Sequence, residues 1–343
     1  MNNVKIPRNA PCPCSSGRKY KNCCLGQNGN GGLPPDPEDL FAEMRAAVQG
    51  QNFATRAEAE AFIEKFMRQQ NEGAQDDFHG LSPEQMHRLL NYPFSSPPLA
   101  QFAEPLAIDP TAPILTLFNL MAEAIDDKGL KATAKGNLPR KFCREAAQSY
   151  WGEEGYRENT RFAGINMEMD FGELYVARGV AELAGLVRKY KGRFILSRDC
   201  RKLVAGAGDR AIYPRLFRSY VEKYNWAYRD RYPDLRIIQT GFLFTLYLLS
   251  LYGSEWRPQG YYADRFMKAF PMVLHEVTGH PLFPPEKSFA SCYALRALER
   301  CSEFLGLALL DPVMADEPFP KRYRVKKQPL LDEFVQFHVT HIS

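Results

Sequence analysis

Four of the chain's eight cysteines fall within thirteen positions, in the stretch RNAPCPCSSGRKYKNCCLG at residues 8–26. The spacing is C-x-C-x8-C-C, from Cys12 and Cys14 to Cys23 and Cys24. Almost no large apolar residue accompanies them, so this piece cannot fold around a hydrophobic core of its own. Its order has to come from its sulfur atoms. The N-terminal residues MNNVKIPRNAPCPC lack the apolar run of a secretory signal, which makes a reducing cytoplasm the expected compartment and argues against disulfides. A vicinal Cys23–Cys24 disulfide would in addition be strained. Four thiolates can instead close a tetrahedral zinc site, with Zn–S of about 2.3 Å. Metal binding then supplies the folding energy that a core would otherwise provide. The intervening SSGRKY has turn-forming residues for the chain reversal, and Arg18, Lys19 and Lys21 offset the negative charge of a four-thiolate site.

Taken together, Asn9, Pro11, Cys12, Pro13, Cys14, Gly17, Lys19, Tyr20, Lys21, Cys23, Cys24 and Gly26 make this stretch similar to the SEC-C motif, the zinc-binding tail of the SecA preprotein-translocase ATPase. Two positions depart from the usual pattern: Ser15 stands where a turn glycine is usual, and Leu25 precedes Gly26. Neither is a ligand position. The resemblance implies one structural zinc ion held by Cys12, Cys14, Cys23 and Cys24, with no coordination site left for catalysis. It further implies a head that contacts a protein or ribosomal partner, as the SecA tail contacts the SecB chaperone and the ribosome. It covers residues 8–26 only. The remainder resembles the bodies of bacterial SEC-C proteins that have no assigned activity.

Behind the head, composition and periodicity divide the chain. Residues 1–26 form the zinc knuckle. The stretch 27–40, rich in Gly, Asn and Pro, reads as a flexible linker. Residues 41–110 read as a helical N-terminal segment, 111–209 as a winged-helix-like region, and 210–343 as an aromatic-rich helical region. The expected fold class is therefore mainly α with a small β component. Thr55 is placed to cap a helix whose apolar face is Ala57, Ala61, Phe62 and Phe66; Ser82 and Pro83 open the next. SSPPLAQFAEPLAIDPTAP reads as an extended wrap or loop, after which Asp109 or Thr111 opens a helix that stops at Gly129. The apolar GFLFTLYLLSLYG at 241–253 falls short of the roughly 20 residues a membrane span needs and reads as a buried helix. SFASCYALRALERCSEFLGLALL at 288–310 reads as one long amphipathic helix.

The segment 171–208 reads as helix, strand, turn, strand, helix, with the turn at Lys191-Gly192 and Ser197 capping the last helix. This resembles the second half of a winged helix. Seven basic residues, Arg188, Lys189, Lys191, Arg193, Arg198, Arg201 and Lys202, stand against one acid over 188–202. Such a wing could hold phosphates in a salt-dependent, weakly sequence-selective way. A second basic stretch, Lys131 to Arg144, would join it if the two pieces packed together.

Catalytic signatures are weak. His275 and His280 are five apart in LHEVTGHP, about 140° on a helix, so they diverge where a zincin pair would converge. No phosphate-binding glycine loop and no G-x-S-x-G is present. Cys143, Cys200, Cys292 and Cys301 are single cysteines on predicted helices, read as buried small hydrophobes. KRYRVKK at 321–327 could be a charge-blunted edge strand or a nucleic-acid contact. The chain thus reads as a non-enzymatic zinc-binding adaptor of the cytoplasm, with nucleic-acid binding as the alternative, no membrane contact, and an enzyme only if a pocket of convergent polar groups exists.

Overall fold

The computed structural model describes residues 44–49, 51–228, 230–277, 284–313 and 322–339. The chain divides into two compact units, Met1–Gln51 and Asn52–Ser343. Of the first, a short helical stretch at 44–49 is described. Cys12, Cys14, Cys23 and Cys24, the 27–40 linker and His280 lie outside the described residues.

The second unit is mainly helical with three small antiparallel sheets. It opens with α1 (Arg56–Glu72), where the Thr55 hydroxyl accepts from the Glu58 N–H. This helix buries no residue fully; Ala57 and Ala61 are exposed, and the inward face is Phe62, Ile63, Phe66 and Met67. Helix α2 (Pro83–Asn91) begins with a reciprocal cap. Ser82 accepts from the Gln85 N–H, and the Gln85 side chain accepts from the Ser82 N–H. The proline-rich stretch that follows is extended in part: β1 (Ala100–Phe102) pairs with β8 (Val335–Phe337), tying the start of this unit to its end.

Next come α3 (Pro113–Ala124), β2 (Leu130–Lys131), α4 (Arg140–Asn159), α5 (Gly172–Leu183), β3 (Val187–Tyr190), β4 (Arg193–Leu196) and α6 (Arg198–Ala205). Neither Asp109 nor Thr111 caps α3; Ala112 occupies that position without a side-chain hydrogen bond, and Pro113 opens the helix. Gly152 kinks α4 with a positive φ. The β3–β4 hairpin turns where the sequence places it, with Lys191 and Gly192 at φ of 47° and 73°, as a tight primed hairpin turn requires. Ser197 accepts from the Cys200 N–H at the start of α6. The sheet order is β2-β4-β3, so the two basic stretches do share a sheet, with Lys131 opposite Arg193.

The C-terminal half runs α7 (Asp209–Glu222), α8 (Arg236–Thr240), α9 (Phe242–Tyr252), β5 (Arg257–Pro258), α10 (Gln259–Ala269), a 3-10 turn at Pro271–Glu276 and α11 (Pro285–Tyr293). All eight residues from Phe242 to Leu249 of α9 are buried, which is why this segment is apolar on every side. Thr245 within it accepts from the Tyr293 hydroxyl at 3.1 Å. The expected long helix over 288–310 is interrupted: Ala294–Glu303 is wound as a π-helix, and Ala308–Pro312 becomes β6. Gly306 makes the turn between them at φ 72°, and a Cβ there would lie 2.4 Å from the Thr111 carbonyl oxygen. Strand β7 (Tyr323–Lys327) sits between β5 and β6, so the charged KRYRVKK stretch contributes a central strand with Val325 buried, not an edge. Helix α12 (Pro329–Phe334) then leads into β8. No helix among the described residues is long and apolar enough to cross a membrane.

Candidate functional site

The four cysteines of the body are buried, as small core residues would be. Burial pushes the Cys143 and Cys292 thiols up to about 12 and Cys200 to about 11, and holds Cys301 well above the ordinary thiol range. None is poised as a nucleophile. His275 lies in the last turn of the 3-10 segment, and His280 lies outside the described residues. Among the described residues, no group of three or more His, Cys, Asp or Glu side chains is arranged to hold a metal.

The basic wing is exposed at all seven positions, yet several of its charges are engaged within the molecule. Lys189 faces Glu182 at 3.7 Å and lies over the Phe194 ring. Arg193 donates to the Gly129 carbonyl at 2.7 Å, and Arg201 pairs with Asp127 at 3.1 Å. Arg188 and Lys191 flank Tyr190, half-exposed on the hairpin. Arg198 stands on the first turn of α6, and Lys202 borders a shallow hollow with Glu104 and Arg215. Helix α5, packed behind the hairpin, has a single cation, Arg178. It is buried, donating to Glu168 and, at 2.6 Å, to Glu182. Glu168 is fully buried and also accepts from the Leu138 N–H at 2.8 Å.

On the other side of α5 lies a cleft of about 830 Å³. Glu173 from the first turn of α5 lines one wall together with Tyr175 and Val176. Glu299, Arg300 and Glu303 from the π-helix line the opposite one. Glu299 and Glu303, four residues apart, lie on the same side of this segment, and π segments recur at functional sites. Aromatic rings fill the floor and rim: Tyr150, Tyr220, Tyr224, Trp226 and Tyr228.

These rings are fixed by the core. Tyr220 donates to the Arg300 carbonyl, and the Trp226 indole donates to the Tyr220 carbonyl at 3.1 Å. The loop carrying Trp226 and Tyr228 is held at two points. Gln239 donates to the Val221 and Tyr224 carbonyls. Arg296, 1% exposed, grips Asp230 with two nitrogens, at 2.7 and 3.0 Å, and donates to the Asp234 and Pro233 carbonyls. Arg300 also faces Asp230 at 3.7 Å, so the one cation among the described lining residues already has an acidic partner.

The carboxylates are left short of neutralising charge. Burial raises the Glu303 carboxyl to about 7, partly offset by the Leu310 N–H that it accepts at 3.3 Å and reinforced by Glu299. Burial also raises Glu173, with a further contribution from Glu299, while the Trp151 side chain favours its charged form. Glu299 therefore acts on both neighbours. Tyr150 is held well above its ordinary range by burial and by Glu173 and Glu303. Sequence reading did not find this cleft. Its one local signal is the like-charged pair Glu299 and Glu303 on an otherwise amphipathic segment, where opposite charges would support a helix.

Comparison with known proteins settles the head. A SEC-C family model matches residues 8–26. Residues 8–26 are a SEC-C motif. SEC-C motifs typically bind zinc and imply a protein-interaction tail. The "Protein translocase subunit SecA" of Wolinella succinogenes is 73% identical over 26 residues, and that of Campylobacter curvus 72% over 25. "Protein translocase subunit SecA 1" of Rhodopirellula baltica is 64% identical over 25. These matches span 7–8% of this chain and only 2–3% of the SecA chains, so the likeness is to their tail alone. A second family model, described as Y4jL N-terminal domain, matches residues 111–209, which hold α3 to α6 and the hairpin. No solved structure matches the chain. The donor set fits a zinc ion: four sulfurs, the number and type that complete a tetrahedral site.

Proposed function

We propose that the chain is a non-enzymatic adaptor of the cytoplasm, in which the SEC-C head binds one structural zinc ion through Cys12, Cys14, Cys23 and Cys24 and recruits a protein or ribosomal partner. The SEC-C match over residues 8–26 carries this reading, because all four ligand positions are present together. Bound zinc would fold the head and would present its flanking residues Arg18, Lys19 and Lys21 as a fixed basic surface. The test is elemental analysis of the full-length protein with Cys23→Ser, Cys24→Ser as the comparison, followed by pull-down of ribosomes and soluble proteins with both. One zinc per chain, with partner capture that disappears along with the metal in the variant, supports the reading. Absence of metal from freshly reduced protein refutes it.

The alternative is nucleic-acid binding through the winged-helix-like region. It is favoured by the element order α3, β2, α4, α5, β3, β4 with sheet order β2-β4-β3, the order of a winged helix, and by the exposed Arg188 and Lys191 at the hairpin. Against it stands α5, the helix that would enter a groove: its only cation is buried and its outer turn carries Glu173. Any contact would rest on the wing and the phosphates. Binding should then fall steeply with salt and with charge reversal at Arg188, Lys189, Lys191 and Arg193.

A further inference from the structure

The cleft has the size and lining of a small-molecule site: about 830 Å³, rigidly framed, with aromatic walls and a few convergent polar groups. What distinguishes it is the sign of its charge. Glu173, Glu299 and Glu303 converge from α5 and the π-helix, while Arg300, the one cation among the described lining residues, is drawn toward the buried Asp230. An anion would meet repulsion here. A neutral ligand would leave the half-buried Glu299 and Glu303 carboxylates uncompensated, at the cost of a desolvated charge. A cation would relieve both. The walls specify the kind of cation. Tyrosine and tryptophan faces attract ammonium groups through their quadrupoles and also cover methylene chains. A hydrated metal ion would gain little from these rings, and the carboxylates are not grouped as a metal site.

We propose that this cleft binds a small organic cation of the alkyl di- or polyamine class, its ammonium groups meeting Glu173, Glu299 and Glu303 and its methylene chain lying on Tyr150, Trp226 and Tyr228. More than one carboxylate, contributed from opposite walls, calls for more than one ammonium along a flexible chain. Two of them, Glu299 and Glu303, come from the π-helix. The frame is preorganised, since Arg296 and Gln239 fix the aromatic loop without help from any ligand. The raised carboxyl of Glu303 is consistent with a site that lacks its counter-ion. The inference concerns residues of the body alone and does not depend on what the head recruits.

The experiment is calorimetric titration of the full-length protein with spermidine, with tryptophan emission followed in parallel because Trp226 lies in the wall. Glutarate and a neutral polyol of similar length serve as controls for charge, and a lysine-containing peptide as the macromolecular source of the same group. The expected result is one site per chain for spermidine, weakened about tenfold or more in Glu299→Gln, Glu303→Gln, which corresponds to roughly 1.4 kcal/mol. Glu173→Gln, on a different helix, should weaken binding in the same direction and keeps the test decisive if the first pair fails to fold. The wing variant Arg188→Ser, Lys191→Ser should bind unchanged. Absence of binding at millimolar spermidine overturns the proposal. So does equal affinity in the carboxylate variants, equal binding of the neutral or anionic probe, or binding of the lysine peptide alone.

Discussion

Glu303 offers the sharpest test of the physical account of the cleft. Its carboxyl is raised from 4.5 to about 7, first by burial and then by Glu299, so the folded state holds its proton more tightly than the unfolded chain does. Stability attributable to this group is therefore full below pH 4.5, falls as pH rises from 4.5 to about 7, and stays level above that. Such a shift corresponds to about 3 kcal/mol as an upper bound. The group faces an open cleft, and solvent screening reduces the expected effect to about 1–2 kcal/mol. Glu303→Gln removes the charge while keeping an oxygen to accept the Leu310 N–H. The variant should match the wild type at pH 4.5 and exceed it by about 1–2 kcal/mol at pH 8. Urea unfolding followed by tryptophan fluorescence at pH 4.5, 6 and 8 measures this difference; groups remote from Glu303 contribute equally to both proteins, and the relief of Glu299 on losing its charged neighbour adds to the difference in the same direction. A variant less stable than wild type at pH 8, or a difference independent of pH, would refute the claim that Glu303 is an uncompensated carboxylate.

Other outcomes follow from the same structure. Arg296→Met leaves the Asp230 carboxylate buried with only Arg300 beside it and should cost about 3–5 kcal/mol in the unfolding free energy; a loss under about 1 kcal/mol would show that the pair is dispensable. Gly306→Ala places a Cβ against the Thr111 carbonyl at a positive φ and should lower the thermal midpoint markedly, an effect absent from the unobstructed Gly164→Ala. In a thiol-reagent titration the native protein should release four fast thiols only after chelator is added, with Cys143, Cys200, Cys292 and Cys301 reacting only on unfolding; early reaction of more than four would contradict their burial.

Where local chemistry decides an element, the sequence was legible. Ser82 with Pro83, Thr55 and Ser197 each name a helix start, because a short oxygen-bearing side chain can satisfy an otherwise unpaired N–H nearby. Lys191-Gly192 names a hairpin, because its turn needs two residues that tolerate positive φ. What the sequence left open or misread lies where distant partners decide. Ala100–Phe102 is a strand only because Val335–Phe337 lies beside it, and Tyr323–Lys327 is central only because β5 and β6 flank it. The helix expected over 288–310 gives way to π winding and a strand; periodicity cannot foresee either, since both depend on how Arg296 meets Asp230 and how Gly306 packs on Thr111.

The sequence by itself determined the head: four cysteines in one short window, with the flanking residues that go with them, identify a SEC-C motif whose chemistry is local and needs no core. It also determined that the body is mainly helical and that Cys143, Cys200, Cys292 and Cys301 belong to its interior. Only the tertiary structure decided the cleft. Glu173 and Glu303 are far apart in the chain, and no sequence pattern links them. They meet in one cleft through the packing of α5 and the π-helix around α7 and its aromatic loop, and that packing raises both carboxyls, by burial and by the neighbouring Glu299.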